Sequence, residues 1–350
     1  MSALDAHGGW PNVLNTLLRG GDLSSDAAGA AMSTILAGDA TAAQIAGFVV
    51  ALRAKGETGD ELAGMLDAAM AEAALVPLDD DERRACVDVV GTGGDGSHSI
   101  NVSTMAAVVV AGAGTPVCKH GNRSASSKCG AADVLELLGV AIEQGPEGVA
   151  TCVREAGIGF CFAPMFHPAF RFAGPPRREM GVATAFNLLG PMANPGRVRN
   201  QLIGVADAAF APAMLAALQR QGVERAWVVN GDGLDELTTT AVSDVWALAD
   251  GEITTFRVDP VDLGLATATA ADLRGGEPEE NAEAVRRVLA GDAGPHRDVV
   301  VLNAAAALVV AGAVDDLAAG VAAASAALDD GRAAATLDRF VATSQAQVAS

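Results

Sequence analysis

Glycines, hydroxyls, bases and one pair of acids are grouped in this chain in a way that suits a phosphorylated ligand. Residues 91–104 read GTGGDGSHSINVST and residues 119–130 read KHGNRSASSKCG. Glycines at 91, 93 and 96 let a backbone approach an anion closely and turn its N–H groups toward it. Asn101, Ser103 and Thr104 stand where a helix should begin. Side chains, free N–H groups and the helix dipole would then converge on one anion site. Asn101 or Ser103 is also expected to cap that helix, and the Ser103 hydroxyl suits a hard cation. In the second segment Lys119, Arg123 and Lys128 supply charge, and Ser124, Ser126 and Ser127 supply short donors. No acid occurs from 115 to 128, whereas a solvated surface loop usually interleaves both signs. Such a mixture fits a phosphate or pyrophosphate rich in acceptor oxygens.

A third group, NGDGLDELT at 230–238, follows a short strand-like run. Its adjacent Asp235 and Glu236 make a Mg²⁺ site when ligand phosphate oxygens complete the shell. Two carboxylates held together repel without a cation, although acids opening a helix would look the same. His167, Arg171, Arg177 and Arg178 form another basic group. They are either surface residues or a clamp for a carboxylate, for which arginine is the natural bidentate donor.

Two nucleotide readings fail on the same residues. Gly91, Gly93 and Gly96 fit GxGxxG, but a dinucleotide site needs an acid about twenty positions on. Lys119 and His120 lie there instead, and the GxxxxGK[ST] phosphate loop is absent.

The elements that must position these groups follow from pattern. Residues 11–76 read as helices, capped by Ser24 to Asp26 and by Thr41, with Gly56 as a stop and Asp60 and Glu61 opening a third helix to about 74. An acidic linker, LDDDERR at 78–84, follows. Strand-like runs at 86–90, 116–118 and 226–230 then alternate with helical ones near 108–111 and 131–138, the βαβ pattern of a largely parallel sheet. Residues 164–195 are proline-rich and basic and interrupt that alternation; from 277 onward the chain is alanine-heavy and helical.

Composition narrows the partners. The chain has 350 residues, half of them hydrophobic and none tyrosine, which suits an α/β protein with one large core or two smaller ones. Its 23 Lys and Arg against 43 Asp and Glu leave a net charge of −20. That balance opposes nucleic-acid binding and offers no polybasic segment to an anionic membrane. No apolar stretch is long enough to span a bilayer, and 299–314 reads as a buried element. The first residues lack a signal peptide's pattern. Five cysteines without CxxC spacing read as free thiols of a reducing cytoplasm rather than a zinc site.

VGTGGDG, NVST, KHGNRSASSK, HPAF…RRE, FNLLGPMANP and DGLDELT, in this order, resemble the anthranilate phosphoribosyltransferases. The resemblance continues through GGEPEENAEAVRRVLAG and LNAAAALVVAG, so it covers nearly the whole chain. It implies a nucleoside phosphorylase/phosphoribosyltransferase-like fold: a helical domain at 1–80, rejoined by 165–195, beside an α/β domain at 85–164 and 196–345. It also implies a cytoplasmic homodimer joined through the helical domains, acting in tryptophan biosynthesis on anthranilate and phosphoribosyl pyrophosphate (PRPP), with two Mg²⁺ per subunit.

Carried over residue by residue, Gly91, Gly94, Asp95, Ser99, Asn101, Val102, Ser103, Thr104, Lys119, His120, Gly121, Asn122, Arg123, Ser124, Ala125, Ser126, Ser127 and Ala131 would hold PRPP. Gly91, Asn122 and Arg177 would hold anthranilate, with His120 beside it as an orienting group rather than a required base. Ser103, Asp235 and Glu236 would bind the metal. Ser99, Ala131 and Ala183 stand where the family often has threonine, serine and a base, which weakens any ligand role for the last. A pyrimidine-nucleoside phosphorylase shares the fold type, but Asp95, Asn122 and Arg177 favour the transferase. A non-catalytic relative that binds nucleic acid should show a basic groove and altered metal residues; the −20 charge and the retained Asp235 and Glu236 argue against it.

Overall fold

A computed structural model describes residues 3–124 and 128–348. Ala125, Ser126 and Ser127, expected at the phosphate, lie outside the described residues.

Four helices open the chain: α1 (Gly9–Leu18), α2 (Ser25–Leu36), α3 (Ala42–Lys55) and α4 (Gly59–Ala71). Ser24 caps α2, and Thr41 with Gln44 and Thr58 with Glu61 close reciprocal capping boxes on α3 and α4. The third expected helix thus begins at Gly59 and stops at Ala71, short of 74. α2 and α4 lie so close that a Cβ on Gly64 would collide with the Ser25 carbonyl.

The acidic stretch is no linker. It folds as α5 (Asp80–Ala85), because Asp79 and Glu82 form a capping box and Arg83 and Arg84 fall in the last turn, where they complement the helix dipole.

From there the chain builds one seven-stranded sheet: β1 (Val87–Gly91), β2 (Val117–Gly121), β3 (Ile158–Phe162), β4 (Asn200–Gly204), β5 (Arg225–Asn230), β6 (Ser243–Ala249) and β7 (Glu252–Val258), in the order β3-β2-β1-β4-β5-β6-β7. β1 to β5 pair in parallel; β6 and β7 add an antiparallel hairpin that the sequence pattern did not disclose. The intervening helices are α6 (Val102–Gly112), α7 (Ala131–Leu137), α8 (Pro146–Ala156), α9 (Ala163–Phe166), α10 (Gly174–Met180), α11 (Ala185–Met192) and α12 (Ala211–Arg220). Four more close the chain: α13 (Pro278–Leu289), α14 (Pro295–Val310), α15 (Leu317–Asp329) and α16 (Arg332–Val348).

Each face of the sheet has its own core. Val87, Val89, Leu202 and Val229 pack with α6, α7 and α13 to α16. Val90, Ile203 and Val228 pack on the other face with α1 to α4, α11 and α12, so the helix of 185–192 joins the N-terminal ones. The apolar run at 299–310 is the buried α14. All five cysteines are buried and none is in a disulfide. Among the described residues no helix is long and apolar enough to cross a membrane.

The strand order reverses between β1 and β4: from β1 the chain moves outward to β2 and β3, then returns to β4 and continues the other way. In open α/β sheets that switch point leaves a crevice at the carboxyl ends of the strands, where ligands bind.

Candidate active site

Both strands at the switch point end in glycine, Gly91 and Gly204, which are register partners. Neither is there for a positive φ; each makes room. A Cβ on Gly91 would collide with the Asp235 carboxylate, and one on Gly204 with the Asp235 carbonyl. The acidic segment therefore lies directly over the strand ends. It is a loop rather than a helix start, so dipole capping does not explain Asp235 and Glu236.

The loop is held from two sides. Asn230 Nδ2 donates to Val205 O at 2.7 Å and its Oδ1 accepts from Gly233 N at 3.1 Å. Asn303 of α14, fully buried, accepts from Leu237 N at 3.0 Å and donates to Leu237 O at 2.8 Å. Across the crevice, Gly93 N donates to Asp235 Oδ2 at 2.6 Å. Gly93, Gly94 and Gly96 have φ of 68°, 78° and 71°, values that only glycine adopts without strain, so the turn needs all three.

Burial, then the nearby Asp95 charge, pushes the Asp235 carboxyl up to about 7. Burial, then Asp235, pushes Glu236 well above the carboxylate range. Both effects are relieved by a cation. Among the described residues no cluster of three or more His, Cys, Asp or Glu adopts a metal-binding arrangement. The two carboxylates and the nearby Ser103 carry oxygen atoms, the donor type Mg²⁺ takes when substrate phosphates supply the rest of its shell. Glu236 is tied to the start of α6 by a hydrogen bond from the Ser103 backbone.

Asn101 occupies the N-cap position of α6, yet neither it nor Ser103 caps the helix through its side chain. Asn101 Nδ2 donates to Cys129 O at 3.1 Å and its Oδ1 accepts from Asn281 at 3.0 Å. Side-chain capping was therefore the wrong expectation: of the first α6 N–H groups, Val102 N donates to Ile100 O at 2.8 Å and the Ser103 backbone donates to Glu236. Asp95 accepts from Ser97 N at 3.1 Å, Ser99 N donates to Ser97 Oγ at 3.2 Å, and Thr104 is buried with its hydroxyl unpartnered among the described residues.

The basic loop is less free than its composition suggests. Lys119 is 2% exposed; its ammonium donates to Val89 O and lies 3.4 Å from Ser103 Oγ. Burial lowers its pKa, opposed by the charges of Asp88 and Glu236. Arg123 pairs with Asp133 and Glu136 of α7, and Lys128 with Glu277. A stretch with no acid of its own thus borrows acids from elsewhere in the chain. Ser124 N lies 3.4 Å from Asp133 Oδ2, Asn122 Oδ1 accepts from Arg123 N at 2.7 Å, and Ala131 opens α7.

His120 ends up neutral. Its Nδ1 lies 3.0 Å from Gly190 O, so that nitrogen carries the proton, while Nε2 is buried without a partner. Burial, then the neighbouring His167, lowers its pKa to about 3. His167 donates from Nε2 to Ala193 O at 2.7 Å, and the two rings are 5.3 Å apart. The second basic group divides: His167 is buried, and Arg171 bonds its own turn at Pro168 O. Arg177 is half-buried over the Phe186 ring at 5.1 Å, with burial the one cause acting on its pKa.

Residue-type reasoning missed the buried polar side chains beneath the site. Asp88 on β1 accepts from His120 N at 3.1 Å and from Asn194 Nδ2 at 2.7 Å, and Asn194 also donates to Cys118 O. The available signal was a polar residue inside an apolar run, as at Asn194 and Asn303.

Residues 83–334 match the family described as glycosyl transferase family, a/b domain, and residues 11–73 match the helical bundle domain of the same family. An anthranilate phosphoribosyltransferase of Salinispora arenicola (strain CNS-205) is 52% identical over 342 residues, covering 96% of this chain and 97% of that protein. The crystal structure of anthranilate phosphoribosyltransferase from Thermus thermophilus superimposes with a TM-score of 0.89 at 40% identity, over 95% of this chain and 99% of that one. The Saccharomyces cerevisiae enzyme in complex with PRPP and Mg superimposes with a TM-score of 0.87 at 27% identity, over 96% and 98%.

Proposed function

The chain belongs to the anthranilate phosphoribosyltransferase family, and from that premise we propose how its residues divide the reaction among them. The enzyme transfers the phosphoribosyl group of PRPP to the amine of anthranilate, with release of pyrophosphate, in tryptophan biosynthesis.

PRPP lies in the crevice at the switch point. The glycine turn with Gly91, Gly94 and Asp95, then Ser99 and the start of α6 from Asn101 to Thr104, forms one side of the cradle. The loop from Lys119 to Ser124, with Ala131, forms the other; Ala125, Ser126 and Ser127, outside the described residues, are assigned to PRPP by motif alone. Arg123 exchanges carboxylate partners for ligand phosphate oxygens of the same charge. Asp235, Glu236 and Ser103 hold Mg²⁺, two ions per subunit, and the buried, mutually repelling acids support that assignment. Bound there, Mg²⁺ offsets the charge of the departing pyrophosphate.

Anthranilate places its carboxylate at Arg177 and Asn122, near Gly91. Arg177 suits this because, among the described residues, its guanidinium has a ring beneath it and no ion pair. The aromatic amine is neutral at neutral pH and attacks the anomeric carbon as the carbon–oxygen bond to pyrophosphate breaks; the proton the nitrogen then sheds passes to the departing pyrophosphate or to water. No strong base is needed, and the neutral His120 orients. Positioning and fixed charges of this kind supply most of the barrier reduction in such transfers.

The reading is carried by one observation: Gly93 N–H binds Asp235, joining glycine turn and acidic pair at the switch point. Loss of anthranilate fluorescence on adding PRPP and Mg²⁺ tests it. No loss with either order of substrates would overturn it.

A homodimer forms through the helical domain, residues 1–80 with 165–195, against an α/β domain of 85–164 and 196–345. In support, Leu18 at the end of α1 is 74% exposed, and Val50 of α3 is 47% exposed on the side of that helix that also carries exposed Ala43 and Ala54.

A further inference from the structure

Residues 273–281, LRGGEPEEN, carry none of the ligand roles above, yet they wall the phosphoribosyl cradle on a third side. Ile100 N donates to Leu273 O at 3.0 Å, and Gly275 N donates to His98 O at 2.8 Å. Ser99 and Arg274 form an isolated β-bridge between these two bonds. The approach is tight: a Cβ on Gly275 would sit 2.6 Å from Asn281 Oδ1 and 2.9 Å from Ser99 O. Glu277 pairs with Lys128 at the end of the basic loop.

Asn281, in the first turn of α13, is the centre of this wall and is 2% exposed. Its Oδ1 accepts from Gly276 N at 2.9 Å, which fixes the turn. Its Nδ2 donates to Asn101 Oδ1 at 3.0 Å. That bond sets the orientation of the Asn101 amide, whose Nδ2 then donates to Cys129 O at 3.1 Å. One chain of hydrogen bonds therefore runs from the α13 turn through the start of α6 to the end of the basic loop.

We propose that Asn281 is a positioning residue for PRPP: through Asn101 it sets the spacing between the α6 N-terminus and the Cys129 end of the basic loop, the two sides that grip one pyrophosphate. The inference rests on the assignment of PRPP to this cradle. Only half of the Asn281 amide serves its own turn; the donor half reaches a residue whose other bond goes to the ligand loop.

Two variants separate these halves. Asn281→Asp keeps an acceptor for Gly276 N but has no donor for Asn101. Asn281→Ala removes the donor without adding charge. Steady-state kinetics with both substrates varied at saturating Mg²⁺, together with melting temperature, are the readouts. The KM for PRPP should rise about tenfold in both variants, equivalent to ~1.4 kcal/mol, with the anthranilate KM within about twofold of wild type, on the scale of a few tenths of a kcal/mol. An unchanged PRPP KM, or equal rises in both KM values, overturns the proposal. Should Asn281→Ala fail to fold, Asn281→Asp alone decides by the same split. Ser103→Ala distinguishes the two possible failures, since it leaves the bridge intact. Altered PRPP saturation there but not in Asn281→Asp overturns the bridge alone; unaltered saturation in both overturns the cradle assignment and this proposal with it.

Discussion

The backbone N–H of Gly93 donates to Oδ2 of Asp235 at 2.6 Å, across 142 positions of sequence. This bond makes one site of two segments that have little chemistry apart. A glycine turn alone cradles many anions, and two acids alone are ordinary surface charge. Joined over the ends of β1 and β4, they offer N–H donors to a phosphate and carboxylates to its cation in one crevice.

Removing the acids' charge should therefore disable the leaving-group side of the reaction. Asp235→Asn combined with Glu236→Gln should lower kcat by about a hundredfold or more, ~2.7 kcal/mol of lost transition-state stabilisation. Mg²⁺ titration of the residual rate checks the assignment. An unchanged Mg²⁺ dependence would show that the ion is held elsewhere.

Space at Gly204 is as necessary as charge. Its Cβ would collide with the Asp235 carbonyl, which is backbone and has no rotamer to escape into. Gly204→Ala should displace the acidic loop and cost about tenfold or more in kcat/KM for PRPP, at least ~1.4 kcal/mol. The same substitution at Gly190, where an added Cβ would meet nothing within 4 Å, should leave packing unstrained and serves as the comparison. Equal kinetics in Gly204→Ala and wild type would refute the close-approach argument.

Arg177 is the cation proposed for the second substrate. A guanidinium over Phe186, partly desolvated and lacking an ion pair among the described residues, gains most from a ligand carboxylate. Arg177→Ala should raise the anthranilate KM about tenfold or more, with the PRPP KM within about threefold, since charge-assisted bonds contribute ~1.5–3 kcal/mol. Arg177→Lys should recover only part, as an ammonium lacks the planar fork. Equal rises in both KM values would remove Arg177 from the anthranilate side.

Much of the proposed site was legible in the sequence because residues suited to a phosphate or to its cation announce themselves by type. Gly91, Ser103, Lys119 and Asp235 sit at strand ends or helix starts, or in the loops that follow them, where short-range pattern is strongest. Asp88, Asn194, Asn281 and Asn303 were not legible as site residues, since their partners lie up to 180 positions away and only the fold brings them together. The helix over 80–85 was hidden for the opposite reason: its charges look like a linker, and a local capping box overrides that impression. The pairing of Arg123 and Lys128 with α7 and Glu277 likewise depends on which acids the topology delivers.

His120 should behave as a neutral ring throughout the working pH range. Its pKa falls from the ordinary 6.5 to about 3, chiefly by burial and then by His167. The unfolded chain therefore takes up a proton below 6.5 that the folded chain refuses until near 3. Stability from this group is complete above 6.5 and is lost as pH falls from there toward 3, by at most ~1.4 kcal/mol per pH unit. Nitrogen NMR of labelled histidine should show the ring still neutral at about pH 5, and kcat/KM should carry no His120 inflection between about pH 5 and 8. His120→Asn should flatten the acid side of the melting-temperature profile. A ring that titrates near 6.5 would contradict its burial, the main cause of the lowered value.

The exposed apolar side chains of α1 and α3 predict an assembly. Val50 projects from α3 with exposed Ala43 and Ala54, small and uncharged, on the same side of that helix, and Leu18 is exposed at the end of α1, so a second copy can approach closely. In a chain of net charge −20, exposed apolar side chains are where two like-charged protomers can meet with the least repulsion. Burying Leu18 and Val50 of both copies contributes roughly 1.5–3 kcal/mol per side chain. Leu18→Glu with Val50→Glu would instead bury like charges against each other. Light scattering after gel filtration should show the wild type at twice the chain mass and the double variant at one, with its melting temperature lowered. A wild type that elutes as a monomer, or a double variant that stays dimeric, would move the interface off these side chains.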